Sequence, residues 1–132
     1  MHLIVSLLLY HKRDNLEKYS GKYYQADKIT LLPPAGSSVY SDVLLQLRLD
    51  MVARLAVNAK VLDLCCGSGD HLLFFADSIQ EGIGFDYSAP FLLRGTALRD
   101  ERKIDNVNFL QGNARKLPFK KNYFELIYSF SS

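Results

Sequence analysis

A ten-residue segment near the middle of the chain combines residue types suited to binding a charged small molecule. Residues 61–70 read VLDLCCGSGD, an apolar run followed by a Gly-x-Gly turn. Glycine allows a sharp backbone turn and lets a ligand approach without a Cβ in the way. The N–H groups at the start of a following helix favour a carboxylate or a phosphate. The carboxylate of Asp63 could receive an ammonium group, so the segment predicts a site for an amino-acid-like ligand.

The Gly-x-Gly turn alone is compatible with more than one class of site. A dinucleotide site reads Gly-x-Gly-x-x-Gly, and its third glycine lets the helix pack closely on the strand. Here Gly67 and Gly69 are followed by Leu72, and no glycine occurs between Gly69 and Gly82. The pattern therefore disfavours a nicotinamide dinucleotide site.

A second acidic residue extends the candidate site. Asp86, in the segment GFDYS, lies 23 residues after Asp63 and follows another apolar run. An acidic residue at the carboxyl end of the next strand can accept both hydroxyls of a ribose. The structural alternative is a carboxylate that serves only a loop or a helix cap.

The elements that must position these residues are predicted from four short apolar runs separated by helix-like sequence. Strands that are apolar on both faces and alternate with helices indicate a parallel sheet covered on both sides. A helix is predicted between Ser38 and Asn58, a second from Asp70 to Ile79, and a third capped by Ser88. The fold class is therefore α/β, with a doubly wound parallel sheet whose strands are 61–64, 83–85, 107–110 and 124–128.

Composition narrows the class of protein. The 132 residues fit one domain, with a lead segment at 1–40 and the sheet and helices at 41–132. Lys and Arg total 16 and Asp and Glu total 14, a net charge of +2 that argues against a dedicated nucleic-acid binder.

The apolar residues 1–10 are too few to span a bilayer, so we expect a strand or helix that packs on the domain. The adjacent Cys65 and Cys66 suit neither a disulfide framework nor a metal site, and we expect a cytoplasmic protein.

Four segments together resemble a known family. VLDLCCGSGD, GIGFDYSAPFL, VNFLQGNARKLPF and YFELIYS occur in this order and are similar to the successive motifs of class I S-adenosylmethionine-dependent methyltransferases. Their wording is closest to the small-molecule branch that includes the ubiquinone and menaquinone biosynthesis type. The resemblance covers roughly residues 59–129. It implies a Rossmann-like fold, S-adenosylmethionine as cofactor and a small-molecule acceptor of the methyl group.

The resemblance implies roles for the residues of the first two motifs. Asp63, Gly67 and Gly69 would hold the methionine part of the cofactor, with Cys65 standing where the family often has another glycine. At the second motif, Asp86 would bind the ribose hydroxyls. Tyr87 beside it would flank the adenine.

The later motifs carry three further implied positions. Asn113 and Ala114 would meet the adenine edge, and Ser129 would lie near the sulfonium and the substrate. Many relatives have aspartate where Asn113 stands, but an asparagine oxygen can still accept a hydrogen bond from the adenine amino group. The sequence assigns neither a catalytic base nor a metal ligand.

The resemblance also implies three further strands beyond 124–128, so we expect this chain to be the cofactor-binding part of such a domain. In the family's strand order, 124–128 would then present an unpaired edge through which the chain could self-associate. Two alternatives to a methyltransferase stay open: a catalytically silent cofactor-binding or interaction module, and a nucleotide-linked oxidoreductase. We also expect His71, in the first turn of its helix, to be solvated.

Overall fold

The secondary structure alternates between strands and helices along the chain. A computed structural model describes residues 3–6 and 39–130, with side chains from residue 47 onward. The strands are β1 (Leu3–Ser6), β2 (Lys60–Leu64), β3 (Glu81–Asp86), β4 (Val107–Gln111) and β5 (Leu126–Ser129). The helices are α1 (Val39–Ala56), α2 (Asp70–Phe75) and α3 (Ala89–Glu101), and a 3-10 turn, Ala76–Ser78, follows α2.

All five strands form one parallel sheet in the order β1-β5-β2-β3-β4. From β2 the chain moves outward through β3 to β4, and β5 then returns to the opposite side of β2. The order of the strands therefore reverses between β2 and β5. In open parallel sheets, ligands bind outside the carboxyl ends of the strands at such a switch point. The predicted doubly wound architecture is confirmed.

The sheet corrects one expectation about its edge. The strand predicted at 124–128 is β5, and β1 pairs with it in register from Leu3↔Leu126 to Ser6↔Ser129. The prediction of an unpaired edge at this strand was therefore wrong. The self-association expected through that edge consequently loses its premise. The physical reason is that the apolar start of the chain supplies the missing backbone partner. Most of the predicted lead segment, residues 7–38, lies outside the described residues.

Side chains alternate between the two faces of the sheet and form two apolar clusters. The larger cluster lies on the helix-bearing face, where Val52 of α1 and Leu72 of α2 pack with Val61 and Leu126 of the strands. The smaller cluster, on the other face, joins strand residues to the segment before β5; its buried members are Leu62, Phe85 and Phe124. Among the described residues, no helix is long and apolar enough to cross a membrane.

Two helix predictions differ in detail from the structure. α2 ends at Phe75 instead of continuing to Ile79, whose backbone is extended. The amide of Asn106 donates to the carbonyls of Ala76 and Ile79, at 2.8 and 3.1 Å, and so stabilises this early turn. Ser88 occupies the N-cap of α3, but its side chain makes no capping hydrogen bond.

Glycine spacing explains how α2 approaches the sheet without the third glycine of a dinucleotide motif. A Cβ on Gly82 would lie 2.8 Å from Cδ1 of Leu72. The small residue that permits close packing is therefore on strand β3, whereas the large residue is on the helix. This arrangement is the reverse of the one that the Gly-x-Gly-x-x-Gly motif provides.

The ring of Phe109 on β4 lies against three more glycines. A Cβ would lie 2.4 Å from the ring at Gly69, 2.7 Å at Gly84 and 2.8 Å at Gly95. Gly95 also faces the Ser68 carbonyl oxygen, at 2.6 Å from such a Cβ. The loop after β2, strand β3 and helix α3 are thus joined through one aromatic ring.

Candidate functional site

The residues predicted to bind a ligand fall at one edge of the sheet. Asp63 belongs to β2 and Asp86 to β3, while Cys65, Gly67 and Gly69 form the loop after β2. The remaining positions are Tyr87 after β3, Asn113 and Ala114 after β4, and Ser129 in β5. The topology therefore brings all four motifs to the carboxyl ends of adjacent parallel strands.

The loop between β2 and α2 is a tight turn with an unusual backbone. Cys65, Gly67 and Gly69 have φ values of 59°, 59° and 73°. The Gly69 N–H donates to the Cys66 carbonyl at 3.0 Å, and the Leu73 N–H to the Gly69 carbonyl at 2.9 Å. A positive φ costs a non-glycine residue roughly 1–2 kcal/mol. Cys65 bears this strain at the position where the resemblance expects another glycine.

The carboxylate of Asp86 fastens this loop to the end of β3. Its Oδ2 accepts from the Gly67 N–H and its Oδ1 from the Ser88 N–H, both at 2.8 Å. Burial raises the pKa of Asp86, although these backbone donors act in the opposite direction. Asp86 therefore has the structural role that the sequence left as an alternative. Each carboxylate oxygen can accept a further hydrogen bond, so ribose binding is compatible with that role.

Asp63 lies on the helix-bearing face at the switch point and is only 3% exposed. Its register neighbour on β5 is Tyr128, whose hydroxyl donates to Asp63 Oδ2 at 3.1 Å. Burial raises the pKa of Asp63 well above its usual range; the Tyr128 hydrogen bond lowers it, and the nearby Asp86 and Asp70 raise it further. In the sequence, Tyr128 is recognisable only as a residue of an apolar strand, so this contact was not predicted.

The residues to which the resemblance assigns the adenine lie on the more exposed part of this edge. Tyr87 is 43% exposed, and its carbonyl accepts from the Gln111 side chain at 3.0 Å. Asn113 and Ala114 are exposed, and Asn113 Oδ1 accepts from the Arg115 N–H at 2.9 Å. Gln111 is a second residue that sequence reasoning missed. It fixes the backbone of Tyr87 from the neighbouring strand.

The two cysteines are thiols with little tendency to ionise. Burial and the carboxylates of Asp86 and Asp63 raise the pKa of Cys65 to about 11. Cys66 is buried, its Sγ donates to the Gly67 carbonyl at 3.3 Å, and burial raises its pKa as well. Thiols in this state are poor nucleophiles at neutral pH. Their contribution to the site is the shape of the loop.

His71 differs from the expectation of a solvated side chain. It is 5% exposed and its ring centroid lies 5.1 Å from that of Phe130. Its Nε2 is buried and has no hydrogen-bond partner among the described residues. Burial lowers the pKa of His71 from 6.5 to about 4, and the positive charge of Arg48 lowers it while Asp70 raises it. His71 is therefore neutral at physiological pH, and the prediction of solvation was wrong.

This burial predicts a measurable loss of stability in acid. The unfolded chain binds a proton at His71 below about pH 6.5, whereas the folded chain does so only near pH 4. Stability from this group is complete above the higher pKa and is lost as pH falls toward the lower one, by roughly 3 kcal/mol in total. Urea unfolding of the parent chain and of His71→Phe at several pH values measures the effect. If the difference in free energy of unfolding between the two chains stays the same at every pH, protonation of His71 is not the cause of the loss.

Protonation of the buried acids changes the free energy of unfolding in the opposite direction. Since the folded-state pKa values of Asp63 and Asp86 are raised, their contribution to stability falls as pH rises. The comparison with His71→Phe, which keeps an aromatic ring beside Phe130, leaves these carboxyl groups in place. It therefore isolates the histidine contribution.

Comparison with known proteins agrees with this geometry. The sequence profile of the family described as "Methyltransferase domain" matches residues 61–132. The demethylmenaquinone methyltransferase of Lactiplantibacillus plantarum is 47% identical over 77 residues, which cover 55% of this chain and 32% of that protein. That of Lactococcus lactis is 40% identical over 70 residues, covering 51% of this chain and 28% of the relative.

A solved structure shows the same fold. The crystal structure of the YcgJ protein from Bacillus subtilis aligns with a TM-score of 0.60 at 31% identity, covering 67% of this chain and 37% of that one. The chain thus spans about a third of the length of the relatives that it matches. The family profile covers more than half of the chain, including the loop after β2 and the ends of β3, β4 and β5. The chain belongs to the class I S-adenosylmethionine-dependent methyltransferases.

Proposed function

We propose that this chain binds S-adenosylmethionine and, within a longer enzyme, presents its methyl group to a small-molecule acceptor. The observation that carries this proposal is the pair of buried carboxylates, Asp63 and Asp86, at the ends of neighbouring strands with a positive-φ glycine loop between them. One carboxylate suits an ammonium group and the other suits ribose hydroxyls. S-adenosylmethionine carries both groups.

The residues fit the cofactor on structural grounds. Among the described side chains, no lysine, arginine or histidine forms an ion pair with Asp63, so these residues provide no cation for the buried carboxyl group. The charged ammonium of an amino acid can provide that partner. Gly67 and Gly69 leave the methionine part close to the backbone, and Asp86 can add ribose hydroxyls to its two backbone donors. Tyr87 would flank the adenine, Asn113 and Ala114 would meet its edge, and Ser129 would face the sulfonium.

The sulfonium supplies an already activated methyl group, so the chemistry asked of the protein is chiefly alignment. Holding the donor in line with a nucleophile can contribute roughly 7–11 kcal/mol. In this chain the loop after β2 fixes the methionine end and Asp86 fixes the ribose. A general base is required only for an acceptor that must lose a proton before attack.

The names of the relatives support one choice of acceptor to assay. The demethylmenaquinone methyltransferases of L. plantarum and L. lactis share the matched region with this chain. We infer that a small molecule of the demethylmenaquinone class is the first acceptor to test with the longer enzyme. Neither cysteine forms a disulfide among the described residues, which favours a reducing compartment such as the cytoplasm.

Calorimetric titration with a panel of cofactors tests the proposed binding. We expect S-adenosylmethionine and S-adenosylhomocysteine to bind the chain and nicotinamide dinucleotides not to bind. In the same titrations Asn113→Asp should bind S-adenosylhomocysteine at least as tightly as the parent, since a charged acceptor strengthens the bond to the adenine amino group. Asn113→Leu should bind it less tightly. Preference for a dinucleotide would overturn the assignment, and equal affinity of all three forms would remove Asn113 from the adenine site.

A catalytically silent cofactor-binding module is the second candidate function. Transfer of a labelled methyl group to a demethylmenaquinone by the longer enzyme separates the two functions. Binding without any transfer would favour the module.

A further inference from the structure

We propose that Asp63 holds a proton in the unliganded chain and releases it when the ammonium group of the cofactor binds, with Tyr128 as the positioning residue for the carboxyl group. This inference rests on the proposed function. The exchange is balanced: the O–H bond of Asp63 breaks, its proton passes to solvent, and a ligand N–H donates to the resulting carboxylate. No other bond changes.

The first support is the surroundings of the carboxyl group. Asp63 is 3% exposed, and its described hydrogen-bond partner, Tyr128, is neutral and fully buried. A carboxylate buried without a cation is costly and normally becomes protonated instead. A free carboxylate at this position is therefore disfavoured until a cation arrives.

The second support is the sign of the nearby charges. Among the described residues, the titratable groups that face Asp63 are Tyr128 on β5, Asp86 at the end of β3, Asp70 on α2, and the thiols of Cys65 and Cys66 in the loop. The two other carboxylates disfavour a negative charge on Asp63, and burial raises its pKa in the same direction. The Tyr128 hydroxyl opposes them, because it donates to the ionised carboxylate.

The register of the sheet explains the position of Tyr128. Asp63 and Tyr128 are paired neighbours in parallel strands, so their side chains lie on the same face at the switch point. The ring of Tyr128 packs against that of Phe130, with 5.0 Å between the two ring centroids. This packing fixes the ring, and the hydroxyl consequently fixes one oxygen of Asp63 while the other stays available to a ligand.

Proton release distinguishes ligands by their ammonium group. S-adenosylhomocysteine carries this group, whereas 5′-methylthioadenosine has the same adenosine and sulfur but lacks the amino acid. Both ligands bring ribose hydroxyls to Asp86, so any proton exchange at Asp86 is common to the two. The difference between them therefore reports Asp63.

Calorimetry of the 132-residue chain in buffers of different ionisation enthalpy, from about pH 5 to about pH 8, measures this difference. Below the unliganded pKa of Asp63, we expect S-adenosylhomocysteine to release close to one proton more than methylthioadenosine. In the same range, the affinity for S-adenosylhomocysteine should weaken about tenfold for each unit by which pH is lowered, relative to the affinity for methylthioadenosine. Asp63→Asn, which keeps the shape of the side chain, should abolish the extra proton.

Tyr128→Phe tests the positioning role. Loss of the hydroxyl removes a donor to the ionised carboxylate, so the pH midpoint of proton release should shift upward. A residue that served only packing would leave this midpoint unchanged. An unchanged midpoint in Tyr128→Phe would therefore overturn the role of Tyr128.

The remaining outcomes separate the inference from the proposed function. If S-adenosylhomocysteine binds but releases no more protons than methylthioadenosine at any pH, the inference is wrong and the binding site stands. If neither nucleoside binds, the proposed function fails and the inference fails with it.

Discussion

Asp86→Ala should lower the affinity for S-adenosylhomocysteine by about 100-fold or more. The change removes a charged acceptor from two ribose hydroxyls, and hydrogen bonds to charged groups contribute about 1.5–3 kcal/mol each. It also leaves the N–H groups of Gly67 and Ser88 without the oxygens to which they donate at 2.8 Å. The cofactor contact and the support of the loop are therefore lost together.

Two measurements separate these effects. Titration calorimetry gives the affinity, and hydrogen exchange at Gly67 and Ser88 reports the loop, where we expect faster exchange in the variant. Asp105→Ala is the matched control because Asp105 is an exposed aspartate. If Asp86→Ala impairs folding, Asp86→Asn keeps the shape of the side chain and should still bind more weakly than the parent. A folded variant with parental affinity would show that the ribose lies elsewhere.

The strands of this fold could be predicted from the sequence because each one is a short apolar run next to turn residues. The predicted strand at 107–110 and the observed β4 (Val107–Gln111) differ by one residue, and β5 begins two residues after its predicted start. The boundaries of the helices were harder to predict from the sequence. α2 ends early because Asn106, 27 or more positions away, satisfies the carbonyls at its end. A local pattern contains no information about such a partner.

Contacts between residues distant along the chain also explain which site residues could not be predicted. Asp63 and Asp86 could be selected because each follows an apolar run. Tyr128 and Gln111 could not, since their roles come from strand register: β5 places Tyr128 beside Asp63, and β4 pairs Gln111 with Asp86. The pairing of β1 with β5 was missed for the same reason. Residues distant along the chain become neighbours only after the order of the strands is known.

Gly84→Ala should destabilise the chain by about 1–2 kcal/mol, although alanine is the better strand residue. In an open strand the substitution would stabilise by roughly 0.5–1 kcal/mol, because glycine loses more backbone freedom on folding. Here the new Cβ would lie 2.7 Å from Cδ1 of Phe109 and 2.9 Å from Sγ of Cys66. Overpacking of this kind typically costs about 1–3 kcal/mol, so the clash decides the sign.

The edge of the Phe109 ring that meets that Cβ, from Cδ1 to Cζ, also lies against Gly69 and Gly95, where added Cβ atoms would be 2.4 and 2.8 Å from the ring. Displacement of the ring would therefore disturb its contacts with the loop after β2 and with α3. We expect Gly84→Ala to weaken S-adenosylhomocysteine binding as well, since Gly69 belongs to that loop.

Gly82→Ala is the matched control on the same strand. Its Cβ would also lie 2.8 Å from its neighbours, but these are the terminal methyl groups of Leu72 and Ile79, which can rotate away. A smaller loss of stability is therefore expected there. In the double variant Gly84→Ala/Phe109→Leu, the smaller side chain relieves the clash, and urea unfolding should show a total cost at least about 1 kcal/mol below the sum of the single changes. Additive costs, or a Gly84→Ala chain as stable as the parent, would show that Phe109 does not join the loop to the sheet.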